Sequence, residues 1–240
     1  MFVALALLCA LTCVSPQARA HDDNILDPHN ATPGVRLELL ELPRTKTASP
    51  SAYRLRLTGT APGLEFELWT QQFGALFRKV SSGLRADEEG NVVSHTRGKG
   101  SRAPAQVTVA PGSSAEGAAW SVALVSSDRT IRAFAATIPR PIVSRSGPCM
   151  LQLELVSYNG DRFVATGSGF TPGDEVTVQS TIGGLTTDRR RTIPVDGRLP
   201  TDVIVRDAVP RDPHARYAVT AHSCNVAINY KWGRPALVRR

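Results

Sequence analysis

The sequence lacks the local motifs through which most common enzyme classes can be recognised. It has no Gly-x-Ser-x-Gly nucleophile elbow, no His-Glu-x-x-His zinc motif and no Cys-x-x-Cys redox pair. Gly98-Lys99-Gly100-Ser101 has the wrong glycine spacing for a phosphate loop and reads as a basic surface loop. No stretch carries an apolar 3.6-residue period capped at both ends, which argues against a helical fold. Beyond the N-terminus there is no long apolar run, so no transmembrane segment is expected in the mature chain.

The N-terminal run, Phe2 to Val14, is almost entirely apolar and is followed by Ala18-Arg19-Ala20. It is too short to span a bilayer. The small-x-small step predicts a signal peptide over residues 1–20, cleaved after Ala20, and export to the periplasm or the extracellular space. The full chain has 28 Lys and Arg against 21 Asp and Glu. Arg19 is the sole charge in the first 20 residues, so cleavage lowers the net charge from +7 to +6. That excess suits an acidic surface such as a cell envelope. No nucleic-acid motif accompanies it, so no nucleic-acid partner is expected.

Cleavage leaves two cysteines, Cys149 and Cys224, whose even count in an exported chain predicts a disulfide. It would close 74 intervening residues, which the chain-entropy argument values at about 4 kcal/mol. The alternatives are a metal pair or two free thiols, although no histidine spacing completes a zinc site.

An internal repeat organises the rest. Tyr53-Arg-Leu-Arg-Leu-Thr-Gly-Thr-Ala-Pro-Gly63 and Phe163-Val-Ala-Thr-Gly-Ser-Gly-Phe-Thr-Pro-Gly173 each combine an alternating strand, a Thr-Gly step and a Pro-Gly turn. Each leads into another alternating strand, Leu64 to Trp69 and Asp174 to Gln179. Downstream, Asp87 to Val93 corresponds to Val195 to Leu199, and Trp120 to Pro141 corresponds to Tyr217 to Pro235. Strands are expected at 35–42, 52–58, 64–70, 75–80, 91–94, 105–109, 119–125 and 130–138. In the second copy they fall at 150–157, 162–166, 174–180, 186–193, 201–205, 216–222 and 224–230. Short alternating runs broken by Gly, Pro and Asp-Gly indicate sandwiches or barrels. The expectation is an all-β chain of two tandem immunoglobulin-like β-sandwich domains. These cover residues 35–141 and 149–236, after an irregular leader at 21–34. A Pro-rich linker at 142–148 joins them, and a basic tail follows at 237–240.

Gly167-Ser-Gly-Phe-Thr-Pro-Gly-Asp-Glu-Val-Thr-Val178 resembles the Gly-x-Gly-Phe-x-Pro-Gly-x-x-Val-x-Val signature of bacterial secreted immunoglobulin-like and IPT/TIG-like modules. The glycines permit a bend, Phe170 plugs the sandwich end, and Val176 and Val178 point inward together. The resemblance covers residues 149–236 well and the first half loosely. It implies a β-sandwich in an extracytoplasmic setting, and no particular activity, since such modules serve as spacers, adhesins and ligand binders.

Candidate functional residues are few. Trp69 shares a strand face with Glu65 and Glu67, opposite Leu64, Phe66 and Leu68. An outward tryptophan could stack on a sugar or a partner side chain, unless a bulge turns it inward or the second domain covers it. Arg189, Arg190 and Arg191, with Arg198 nearby, could contact an anionic envelope polymer or lie as a solvated face. His222 is expected to pack beside the disulfide. Cleavage after Ala20 would make His21 the N-terminus, where amine and imidazole could chelate copper with His95, His214 or His222. No other cofactor is suggested. The expectation is a non-enzymatic binding or adhesion-type protein whose partner is an envelope component or a protein. A copper protein centred on His21 and a passive spacer are the alternatives.

Overall fold

The computed structural model describes residues 26–43, 51–94, 104–206 and 212–238. The expected signal segment, His21, His95 and the Gly98–Ser101 loop lie outside these residues. The first half contains β1 (Arg36–Glu41), β2 (Tyr53–Thr58), β3 (Phe66–Gln72), β4 (Arg78–Ala86), β5 (Val92–Ser94), β6 (Ala105–Gln106), β7 (Thr108–Val109), β8 (Trp120–Ser126) and β9 (Arg132–Thr137). The second contains β10 (Ile142–Ser146), β11 (Cys149–Leu155), β12 (Arg162–Ser168), β13 (Glu175–Ile182), β14 (Leu185–Thr192), β15 (Leu199–Val205), β16 (His214–Thr220) and β17 (Asn225–Lys231). Two short 3-10 turns, Pro28–Asn30 and Arg234–Leu237, complete the structure.

The strands form four sheets. The orders are β1-β2-β7 and β6-β5-β4-β3-β8-β9 in the first half, and β10-β11-β12-β15 and β14-β13-β16-β17 in the second. Period-2 alternation places one face of each sheet inward. Leu55, Leu57, Phe66, Leu68, Trp120 and Val122 therefore meet in one core. Leu151, Leu153, Phe163, Val176, Tyr217 and Val226 meet in the other. Each core lies between two sheets, which makes the fold an all-β sandwich architecture.

The sequence repeat has a structural counterpart. Gly59 and Gly169 have φ of +82° and +81°, and each presses against a backbone carbonyl just before its first-strand partner, Gly34 and Pro148 respectively. Gly63 and Gly173, at φ +83° and +85°, sit in open turns. Glycine is required at all four, but only the first pair also forbids a Cβ sterically.

Three expectations differ from the structure. Residues 142–148, read as a linker, contain β10, which pairs with β11 from Ile142↔Leu153 to Ser146↔Cys149. Prolines 141 and 148 flank this strand rather than interrupt it, and Ile142 packs on the second core. The strand expected at 75–80 runs instead from Arg78 to Ala86, with register shifts against β3. Its Ser81-Ser-Gly83 centre has no apolar alternation to announce it. His222, placed by the sequence reading on a strand beside the cysteine, is exposed in the turn between β16 and β17. That turn is closed by Ala221 N–H donating to the Cys224 carbonyl at 2.9 Å.

Cys149 and Cys224 form a disulfide with Cα atoms 6.3 Å apart. It ties β11 to the start of β17, and so joins the two sheets across the second core.

The halves meet at a packed junction. Ala115 and Ala118 are buried in the second core although they precede β8. Gly117 donates its N–H to Arg140 O at 2.8 Å and accepts from Leu155 N–H at 2.9 Å, and Ala118 forms a parallel bridge with Leu155. Arg140 donates to Ser114 O and Glu116, and Phe73 lies against Tyr158 with ring centroids 5.5 Å apart.

Candidate binding edge of the second half

The arginine stretch lies on β14, the outer strand of a two-strand hairpin. Gly183 and Gly184, at φ +54° and +81°, form the two-residue loop. Positive φ at both loop positions is the type I′ pattern, whose twist matches that of the flanking strands. From it β13 and β14 pair without a bulge, from Ile182↔Leu185 to Glu175↔Thr192. Beyond β14 there is no further strand among the described residues. In such a hairpin the pair flanking the loop exchanges both hydrogen bonds, and the pattern then alternates. Residues 185, 187, 189 and 191 are thus tied to β13, while Thr186, Asp188, Arg190 and Thr192 aim their backbone groups at the open edge.

The same alternation sorts the side chains. On the outer face Gln179 donates to Asp188 at 3.1 Å, and Thr181 and Thr186 are 2.9 Å apart. Arg190 is 3.3 Å from Glu175. Toward the interior, Leu185, Thr187 and Arg189 overhang a groove between β14 and the unpaired edge of β15, with Val178, Ile182 and Ile204 also lining it. Leu185 is 63% exposed, and Val203 and Val205 beside it are 47% and 52% exposed.

A polar latch spans the groove. Arg189 Nη1 donates to Asp202 Oδ1 at 3.0 Å, and the Tyr217 hydroxyl donates to Asp202 Oδ2 at 3.2 Å. Asp202 is 9% exposed and Tyr217 fully buried. Burial, then the Asp202 charge and hydrogen bond, pushes the Tyr217 hydroxyl far above its ordinary pKa, against a smaller opposing pull from Arg189 and Arg191. Tyr217 therefore stays a donor and Asp202 an acceptor, which suits a structural tie. At the far end Arg206 Nη1 donates to Ile182 O. The sequence reading missed Asp202. Its signal was parity, because it shares the inward face of β15 with Ile204.

The arginines are unequal. Arg189 is committed to Asp202 and Arg190 to Glu175. Arg191 has no carboxylate partner among the described residues, and its Nη1 donates to Arg190 O at 3.4 Å.

Trp69 lies elsewhere, on the outer face of the six-stranded sheet, as the alternation of its strand predicts. It is half-buried with Phe77 and Phe134 around Leu26, Ala123 and Val125, and the Arg129 guanidinium sits 5.9 Å from its ring centroid. Glu67 is 2.6 Å from Lys79 and 3.7 Å from Arg129. Burial works to raise the Glu67 carboxyl, but the bond and charge of Lys79, the Arg129 charge and the Trp69 indole outweigh it and lower its pKa. Arg129 holds this position at φ +64°, an unusual conformation for a non-glycine residue, fixed by its N–H to Ser126 O at 2.8 Å. The structure thus places Trp69 and the arginine stretch in different sheets, in different halves.

His214 is bracketed by Asp212 and Lys231, each at 2.6 Å, while His29 and His222 are exposed. Among the described residues no three His, Cys, Asp or Glu side chains converge as a metal site. No helix there is long and apolar enough to cross a membrane.

No protein-family model matches the chain, and no curated protein matches it. Three solved structures align over most of its length. A tetra-tandem repeat from the extending region of a large adhesion protein aligns with TM-score 0.28 and 11% identity, covering 82% of this chain and 49% of that one. A Ca2+-stabilized adhesin that helps an Antarctic bacterium reach out and bind ice gives 0.25 and 13%, covering 85% and 49%. A 1.5-MDa bacterial ice-binding adhesin, solved for its retention on the host cell surface, gives 0.22 and 10%, covering 83% and 63%. The chain spans about half the length of the first two.

Proposed function

We propose that this chain is an exported, non-enzymatic binding protein of adhesion type, which engages an envelope component or a protein partner through the open β14–β15 side of its second half. The observation that carries the reading is the exposure of Leu185, Val203 and Val205 beside two strand edges that no strand pairs among the described residues. Exposed apolar side chains along a free edge favour association, and proteins that do not use such an edge cover or shorten it. The buried polar groups nearby, Asp202 and Tyr217, are spent on holding the sheets together. The disulfide supports an oxidising compartment. Within the immunoglobulin-like reading, the binding role falls on β14 and Arg191, and Trp69 steadies the outer face of the other half.

The test is co-sedimentation of the purified chain with cell envelopes of the producing organism. Leu185→Asp and Val203→Asp should each weaken binding about tenfold or more. Equal binding by both variants and by Arg191→Glu would overturn the reading.

A further inference from the structure

We infer that the occupant of the β14 edge is β14 of a second copy of this chain, added antiparallel about a two-fold axis through Arg189. This rests on the reading of that edge as a binding surface and names its partner.

Three observations carry it. The first is the edge itself, eight residues long, free of proline and bulges, and exposed along nearly its whole length. Every second residue offers an N–H and C=O that no strand pairs among the described residues, which is the template for strand addition.

The second is the other half of the same chain. There β4 occupies the position of β14, next to the strand that carries the Pro-Gly turn and continues to β8 and β9. On β4 the C-terminal end of the outer edge is covered, because β5 pairs with Leu84–Ala86 and β6 pairs with β5. The end of this sheet position therefore takes a further strand in the first half; in the second half the corresponding strand, β15, lies in the other sheet, and no strand covers β14 among the described residues.

The third is self-complementarity. In a two-fold pairing centred on Arg189, Thr186 faces Thr192 of the second copy and Asp188 faces its Arg190. Those are the residues whose backbone groups point outward, so the hydrogen-bonding pairs are also the complementary ones. Opposite charges and threonine pairs facing each other favour antiparallel pairing. The one like-charged pair directly opposed, Arg189 against its copy, is offset because each Arg189 is held by its own Asp202 at 3.0 Å. Asp188 and Arg190 are free to exchange partners. Their present contacts to Gln179 and Glu175 are surface contacts, with the side chains of Arg190 and Glu175 82% and 62% exposed. Asp188 would repel an unrelated acidic strand, whereas a second copy meets it with Arg190. The resulting interface is isologous and closes after two copies. It joins two four-stranded sheets into one.

The experiment is sedimentation velocity of the whole chain over a dilution series. The expected result is a monomer–dimer equilibrium. Arg190→Asp and Asp188→Arg should each weaken the dimer at least tenfold by placing like charges across the axis. The double variant carrying both should restore it, and circular dichroism should show each single variant as folded as the parent. A chain that stays monomeric at every concentration overturns the inference, and so does a dimer indifferent to either reversal or a double variant that is not rescued. A monomer whose envelope binding is nevertheless lost in Leu185→Asp overturns self-pairing while sparing the binding surface. A monomer that captures a poly-glutamate peptide through Arg190 overturns it in favour of a foreign strand.

Discussion

Gly169 to alanine is the substitution that most directly tests how the repeated glycine turn is built. At φ +81° an L side chain is strained, at about 1–2 kcal/mol. An added Cβ would also lie 2.8 Å from the Pro148 carbonyl carbon and closer still to its oxygen. That oxygen belongs to backbone entering β11, next to the disulfide-bonded Cys149, so it cannot swing aside. Forced repacking of this kind costs a further 1–3 kcal/mol or so. Gly173, four residues on, is the control. Its φ is +85°, but a Cβ there meets nothing within 4 Å, so Gly173→Ala should cost the conformational term alone. Urea denaturation of the oxidised chain, with the slope checked for constancy, should show Gly169→Ala less stable than Gly173→Ala by about 1–3 kcal/mol. The duplicated pair Gly59 and Gly63 should show the same contrast, because only Gly59 abuts a carbonyl, that of Gly34. Equal destabilisation by Gly169→Ala and Gly173→Ala would refute the claim that backbone contact fixes this glycine.

Two more outcomes follow from the packing. Tyr217 and Tyr230 both have pKa values raised by burial above the ordinary tyrosine value of 10.0. Their neutral forms stabilise the fold fully below about pH 10 and lose that contribution as pH rises past it, at up to about 1.4 kcal/mol per pH unit for each tyrosine. Urea midpoints measured from pH 8 to 11 should fall above pH 10, and Tyr217→Phe should flatten the fall; a flat profile in the parent protein would contradict this. At the junction, Gly117→Ala puts a Cβ 3.0 Å from Ile142 Cδ1 and 3.2 Å from Leu153 O, at φ +73°. It should therefore lower amide protection at Leu151–Leu155, in the other half of the chain, and a loss confined to β8 and β9 would contradict the packing described.

The parts of this structure that are local in sequence were legible there. Alternation exposed most strands, and the Pro-Gly and Asp-Gly steps marked turns because only certain residues reach positive φ. The two cysteines implied their bond. What the sequence hid was pairing at a distance. Ile142-Val-Ser-Arg-Ser146 has weak alternation and prolines close by, so its role as β10 depends on β11 being alongside. Ala115 and Ala118 look like loop residues, and their burial comes from the second core. Arg189, Arg190 and Arg191 read as one basic stretch, yet strand parity sends Arg189 inward to Asp202 and Arg190 outward to Glu175. Nothing local in the sequence of β14 says that it ends its sheet.

Strand addition at β14 requires an edge that is free and able to take a strand. Residue-resolved amide exchange on the dilute chain should show Thr186, Asp188, Arg190 and Thr192 exchanging fast and their odd-numbered neighbours slowly, with the fast set becoming protected as concentration rises. Uniform protection along β14 at every dilution, or alternation that concentration leaves unchanged, would contradict it.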